Sequence, residues 1–307
     1  MKGRTVLVTG ANGFIGRALT SRLAGEGAIV YALSRRGSDH AAAGVVPVAT
    51  PLEELTADHW RRLGVGAFDS VFHLAAFTPK SRQDADDIDA NFVSNLAGTR
   101  ALLRSFDARP RRMVFTSTID VYAPMPPDGV LNESSPVLAS SVYAGSKICG
   151  ERLALAWGAQ SHVDTAILRY GHVYGPGEDA YQKLIPHTIR TVLAGQSPVI
   201  FGDGSAERDC VYVDDVVEAT VRCALVERVP SHAVNIVSGV SHPVVEIVQR
   251  VIDATGASVT IDRRPALAAD RSFRFDNRAM RDAFGGWPLV RLEEGLRAEV
   301  AHVRAER

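Results

Sequence analysis

The sequence predicts an α/β fold, a doubly wound parallel sheet joined to a smaller C-terminal α/β domain. Three observations carry that prediction. Short β-branched runs bounded by turns alternate with helix-period segments through residues 1–169, the arrangement of a parallel sheet with helices on both faces. A glycine-spaced turn, Gly10-Ala-Asn-Gly-Phe-Ile-Gly16, stands directly between the first strand and the first helix. After Arg169 the texture changes, with glycine and proline clustering at Gly175-Pro-Gly177, Gly202-Asp-Gly204 and Gly285-Gly-Trp-Pro288, which predicts loops and short elements.

In order, Thr5–Thr9 is a strand and Phe14–Ala24 a helix with its apolar positions on one face. Ile29–Leu33 and Val45–Ala49 are the next strands, then Ser70–Leu74, followed by a long helical region around Ile88–Ser105. Arg112–Ser117 is extended, Val142–Trp157 helical, and Thr165–Arg169 closes the series. Right-handed crossovers should join these strands. The expected division gives 1–169 to the first domain, with 209–240 returning to it through Val211–Val229 and a strand at Ala233–Val237. Residues 170–208 and 241–307 form the second domain.

A chain of 307 residues with 46% hydrophobic and 22% charged residues has ample material for a buried core. A net charge of -1 disfavours sequence-independent nucleic-acid binding. No apolar run approaches the roughly 20 residues that span a bilayer, and no basic-then-apolar leader precedes the first strand. Cys149, Cys210 and Cys223 lack metal-ligand spacing and fit reduced thiols of a cytoplasmic protein. The nine histidines include no His-x-x-x-His pair, so no metal site is expected.

The turn after Thr9 is built for a dinucleotide, as in a Rossmann-type domain. Gly10 permits the tight turn, Gly13 a close approach to pyrophosphate, and Gly16 close helix–strand packing. The helix start then offers unpaired N–H groups and the positive end of its dipole. The second strand ends in Ser34-Arg35-Arg36-Gly37, where NAD sites usually place a carboxylate. Guanidinium forks suit a 2′-phosphate, so NADP(H) is expected in preference to NAD, which stays possible.

Tyr143 and Lys147 lie four apart, on one face of the predicted helix. A phenol ionises near pH ~10; an ammonium beside it favours the phenolate and brings it into the range of acid–base catalysis. In isolation this spacing is common, and its meaning here comes from its neighbours.

Taken together these motifs resemble an extended short-chain dehydrogenase/reductase of the nucleotide-sugar-modifying NAD(P)-dependent epimerase/dehydratase family, over nearly the whole chain. The resemblance rests on Thr9–Gly16, Val71-Phe-His-Leu-Ala-Ala76, Asn95-Leu-Ala-Gly-Thr99, Phe115–Tyr122, Tyr143–Lys147, Leu168–Pro176 and Gly202–Asp209. It implies Tyr143 as acid/base, Lys147 as its electrostatic partner and ribose ligand, and Thr118 as the hydroxyl on the reacting oxygen. It implies cofactor contacts from Gly10, Asn12, Gly13, Phe14, Ile15, Gly16, Ser34, Arg35, Arg36, Leu74, Ala75, Ala76, Asn95, Tyr170 and Val173, besides Tyr143 and Lys147. Substrate contacts would come from Thr78, Thr118, His172, Arg208 and Arg271, the arginines on a diphosphate. Arg271 equally fits a surface ion pair, and His172 a structural role. Thr116 and Ser117 would face the core or the cofactor, and Tyr122 would serve packing. A homodimer pairing through the helices bearing Asn95 and Tyr143 is implied as well.

Three departures bear on the reaction. Ile119-Asp120 follows Thr118 where sugar dehydratases carry an acidic pair or Ser-Glu; eliminating water needs a placed acid and base, so dehydration is disfavoured. Asp120 then fits a cap. The Ser34-Arg35-Arg36 strand end suits NADPH and net reduction. Val48-Ala-Thr-Pro-Leu52 lacks the carboxylate often found after the third strand. The expectation is an NADPH-dependent reductase of a nucleotide-linked keto sugar, such as a 4-keto-6-deoxyhexose 4-ketoreductase. The alternatives are an NAD(P)-dependent nucleotide-sugar epimerase and, further off, a non-catalytic NADP-sensing protein.

Overall fold

A computed structural model describes residues 1–37, 42–124, 129–178, 183–266 and 271–306, without the side chains of Arg82 and Gln83. β1 (Thr5–Thr9) leads into α1 (Phe14–Gly25), β2 (Ile29–Ser34) and β3 (Val45–Ala49). α2 (Ala57–Arg62) precedes β4 (Ser70–His73), after which come α3 (Arg82–Ala85) and α4 (Ile88–Asn91). α4 runs into a π-helical stretch, Phe92–Ala97, and then α5 (Gly98–Arg104). β5 (Arg112–Thr118), α6 (Val142–Ser161) and β6 (Asp164–Tyr170) complete the run. The long helical region expected at Ile88–Ser105 is therefore helical but wider at its centre, where Gly98 N–H reaches back to Val93 O.

Seven strands form one sheet in the order β10-β6-β5-β4-β1-β2-β3, where β10 is Val234–Ile236. Every pairing in it is parallel. β4 and β5 are buried at every residue, and β6 at all but its first, because helices cover both faces; such strands appear in sequence as continuous apolar runs. The chain moves outward from β1 to β3 and then returns to lay β4 on the other side of β1. That reversal opens a crevice at the carboxyl ends of β1 and β4, where ligands of such sheets bind.

The remainder is more regular than the glycine and proline clusters suggested. β7 (His172–Tyr174) precedes α7 (Leu184–Leu193), β8 (Val199–Phe201), β9 (Glu207–Tyr212) and α8 (Val213–Leu225). After β10 come β11 (Ser241–Pro243), α9 (Val244–Thr255), β12 (Asp262–Arg264), α10 (Arg278–Phe284) and α11 (Leu292–Ala305). β11, β9 and β7 make a small sheet, and β12 pairs with β8. α9 contacts both α7 and α11, burying Ile247, Val248, Val251 and Ile252. α8 packs against α1 and also contacts β5 and β6, so the chain returns to the large sheet twice, as a helix and as β10.

Candidate active site

The glycine turn follows β1, the Leu74–Ala76 loop follows β4 and Thr118 ends β5, so these motifs stand at the carboxyl edge of the large sheet. The turn after β1 is closed by Gly13 N–H donating to Gly10 O at 2.9 Å. Gly10 sits at φ +71°, and a Cβ there would lie 2.8 Å from Ala75 N. A Cβ on Gly16 would lie 2.1 Å from Gly10 O, so α1 can start this close to β1 only with glycine. The first turn of α1 has no side-chain cap and no acidic residue, leaving its N–H groups and dipole for an anion. A pyrophosphate fits this cradle.

Phe14 and Ile15 are half-buried in that turn. Asn12 Nδ2 and Ser34 Oγ both donate to Gly37 O, at 2.5 and 2.6 Å, which folds the loop after β2 back onto the turn. Arg35 and Arg36 are exposed on that loop. Across the crevice, Leu74, Ala75 and Ala76 follow β4 and are half-buried, with Thr78 exposed just beyond. Asn95 is buried in the π-helical stretch; its Oδ1 accepts Phe77 N–H at 2.7 Å, and its Nδ2 donates to Ser146 Oγ at 2.8 Å. Asn95 therefore links the loop after β4 to α6.

α6 starts at the Ser141 cap, whose side chain accepts Ala144 N–H, and carries Tyr143 and Lys147 into the interior. A Cβ on Gly150 would lie 2.6 Å from Phe115 Cζ; its absence lets α6 settle onto β5. Lys147 is 4% exposed, with Nζ 4.7 Å from the Phe115 ring centroid. Burial brings its pKa down to about 8, against the opposing charge of Glu151. Glu151 in turn is held by Arg169 of β6 through two hydrogen bonds of 2.8 and 2.9 Å.

Thr118 ends β5 and is buried. Its hydroxyl donates to Asp120 Oδ2 and accepts Asp120 N–H, both at 3.2 Å, so the threonine caps the turn after β5 and the aspartate does not. Ile119 is 2% exposed, an apolar residue against the core. Thr116 Oγ1 donates to His73 O inside the sheet, and Ser117 is buried. Tyr122 packs as expected; its hydroxyl donates to Asn235 Oδ1 at 2.7 Å and accepts from Arg169 Nη1 at 3.0 Å. Tyr170, the last residue of β6, and Val173 of β7 are buried, with the Tyr170 hydroxyl 2.7 Å from Thr220 Oγ1.

Three of the residues expected to contact substrate, His172, Arg208 and Arg271, gather around Phe273, which the sequence did not single out. The guanidiniums of Arg208 and Arg271 lie 5.4 and 5.1 Å from its ring centroid, and His172 meets the ring edge-on at 5.2 Å. Arg208 also donates to Arg271 O at 2.5 Å. Burial holds His172 neutral, bringing its pKa to about 4 although Asp120 opposes the shift. Two guanidiniums fixed on one aromatic ring form a cationic wall of the kind that grips a diphosphate. Among the described residues no cluster of histidine, cysteine or carboxylate side chains could hold a metal ion, and no helix is long and apolar enough to cross a membrane.

A phosphate cradle, a buried lysine one turn beyond a tyrosine, and a threonine at the end of β5 together define an NAD(P)-dependent enzyme of the extended short-chain dehydrogenase/reductase type. The chain belongs to the NAD dependent epimerase/dehydratase family, whose model matches residues 6–236. It is 32% identical to a UDP-glucose 4-epimerase of Mycolicibacterium smegmatis over 97% of this chain and 98% of that protein. It is also 32% identical to a dTDP-glucose 4,6-dehydratase of Streptomyces griseus, over 96% of this chain and 93% of that one. Among solved structures, MoeE5 in complex with UDP-glucose and NAD superposes with a TM-score of 0.85 at 32% identity, covering 98% of this chain and 99% of MoeE5.

Proposed function

We propose that the protein is a UDP-hexose 4-epimerase. End-to-end similarity to a UDP-glucose 4-epimerase carries this reading, and the site agrees with it. Buried, apolar Ile119 follows Thr118 where elimination of water would need an acid. The weight therefore moves from net ketoreduction, which the sequence favoured, to epimerisation by the same three residues.

The Gly10–Gly16 turn and α1 would hold the pyrophosphate of the dinucleotide, with Leu74–Ala76, Asn95, Tyr170 and Val173 around the rest. A bound nicotinamide supplies a hydride acceptor, and then a donor, at C4 of the sugar. Tyr143 takes the proton of the 4-hydroxyl as general base and returns it as general acid. Lys147 stabilises the phenolate, and Thr118 hydrogen-bonds O4. Arg208 and Arg271 would keep the diphosphate in place, with His172 as a neutral donor and Thr78 at the rim. In this proposal the substrate lies between residues 1–169, completed by 209–240, and the segments 170–208 and 241–307.

Incubation with UDP-glucose and a nicotinamide dinucleotide should give UDP-galactose with no net change in nicotinamide absorbance. Stoichiometric NADPH oxidation by a nucleotide-linked 4-keto sugar, without interconversion of the two UDP-hexoses, would reject the epimerase and restore the reductase.

The cofactor proposal is NADP(H), with NAD accepted, because β2 ends in Ser34 and the exposed Arg35 and Arg36. Replacing both arginines by alanine should weaken NADPH binding about tenfold or more, the cost of losing hydrogen bonds to a charged phosphate, with little effect on NADH. Equal losses for the two cofactors in calorimetric titrations would refute the 2′-phosphate contact.

We also propose a homodimer. α4 and the π-helical stretch pack beside α6 and expose Ile88, Phe92 and Val93, the first two by 68% and 58%, while α6 itself exposes Leu153. Such a cluster marks an interface in a protein of ordinary surface composition. Phe92→Asp should halve the mass measured by sedimentation; an unchanged mass would exclude this face.

A further inference from the structure

We infer that His73 is a positioning residue for the dinucleotide site, locked as its Nε2–H tautomer in a hydrogen-bond chain from the π-helical stretch to the loop after β4. The inference rests on the reading of that loop as a wall of the cofactor site.

His73 ends β4 and is buried, with the Phe115 ring edge-on at 5.4 Å. The Thr99 hydroxyl gives its single proton to Asn95 O at 2.6 Å. Its oxygen, 2.8 Å from His73 Nε2, can then only accept, so Nε2 carries the ring proton. Nδ1 is left as the acceptor for the Thr9 hydroxyl at 2.8 Å. The Thr9 oxygen accepts Ala75 N–H at 3.1 Å. Both ring nitrogens and both hydroxyl protons are thereby used, and each link fixes the direction of the next.

Asn95 reaches the same loop a second time, because its Oδ1 accepts Phe77 N–H at 2.7 Å. The loop is thus pinned at Ala75 and at Phe77, both from one residue of the π-helical stretch. Ala75 is also the residue against which the Gly10 turn closes; its N and Cα lie 2.8 and 2.9 Å from where a Cβ on Gly10 would stand. A displaced Ala75 would therefore reshape the phosphate turn, although His73 itself need touch no ligand. A second ring proton would break the chain, since Nδ1 would no longer accept and the Thr9 hydroxyl proton would lose its acceptor. Burial, reinforced by the nearby charge of Lys147, brings the His73 pKa down to about 3 and keeps the ring neutral.

Thr9→Val removes the hydroxyl at nearly constant shape and leaves Nδ1 and Ala75 N–H without their partner. Calorimetric titration should show NADPH and NAD binding weakened about tenfold and binding of free UDP unchanged, with Thr9→Ser restoring wild-type affinity. Unchanged dinucleotide affinity in Thr9→Val, or parallel loss of UDP binding, would overturn the inference. Nitrogen NMR of the unmutated protein tests it independently of whether the variants fold. The His73 ring should show a protonated Nε2 and a bare Nδ1 from about pH 5.5 to 8.5; an Nδ1–H form, or titration in that range, would overturn it. If the unmutated protein bound no dinucleotide, the reading of the site would fall, while the tautomer measurement would still decide the state of His73.

Discussion

Tyr143→Phe is expected to lower kcat about a thousandfold, within the range of roughly 10²–10⁴ that a placed general acid or base contributes. Binding of UDP should be unchanged, because in the proposed reaction the phenol acts on the sugar, whereas the diphosphate would be held by Arg208 and Arg271, set over Phe273. A variant that kept its turnover would remove Tyr143 from the chemistry. Lys147 adds a pH signature. Its ammonium supports the phenolate, and its folded-state pKa is about 8, so kcat/KM should fall as pH rises through that value. Stability moves the other way. The folded value lies below the unpaired 10.5, so between these values the unfolded chain holds more protons on this group. Its contribution to stability therefore rises with pH across that window. At neutral pH the buried charge destabilises the fold, and Lys147→Met should give an inactive protein that is no less stable. A marked fall in its melting temperature would contradict that account.

Arg169→Ala should give the largest loss of stability. It strands Glu151, 4% exposed, opposite an arginine that is itself 7% exposed. Removing one partner of such a buried pair costs about 3–5 kcal/mol, a fall in Tm of about 5–8 °C for a chain of this size. Arg169 also donates to the Tyr122 hydroxyl, with its guanidinium 5.0 Å from that ring, so the turn after Thr118 should loosen with it. Thermal unfolding measures this directly, and a Tm within about 2 °C of wild type would show the pair to be dispensable.

How far the sequence reached depended on the range of the contacts involved. The Gly10–Gly16 turn and the Tyr143–Lys147 pair were legible because each is local, set by glycine geometry in one case and the helical period in the other. Thr118 was reached only through the resemblance carried by Phe115–Tyr122. Phe273 was not legible, since His172 and Arg208 reach it from β7 and β9, and Arg271, two residues before it, was singled out without the ring. His73 was quoted in a motif but given no role, because its hydroxyl partners, Thr9 and Thr99, lie on different elements. α9 is a different kind of miss. Val244, Ile247, Val248, Val251 and Ile252 follow helical spacing in plain view, but the glycine and proline clusters elsewhere after Arg169 pointed to loops and short elements. The π-helical widening had no local signal; it accompanies the hold of Asn95 on Phe77 and Ser146.

The place of β10 has a consequence for the newly made chain. Sheet order puts β10 beside β6, yet residues 171–233 must be synthesised between them. A ribosome-bound chain ending at Tyr170 would present the row of unpaired amides and carbonyls on β6 as an open, apolar sheet margin, the kind of surface that recruits other chains. Closing it waits on a long-range pairing, slow for entropic reasons. Premature termination anywhere before Ile236 should therefore yield a fragment that is sticky before it is unstable, and biogenesis, more than the finished fold, is where this architecture is exposed to aggregation.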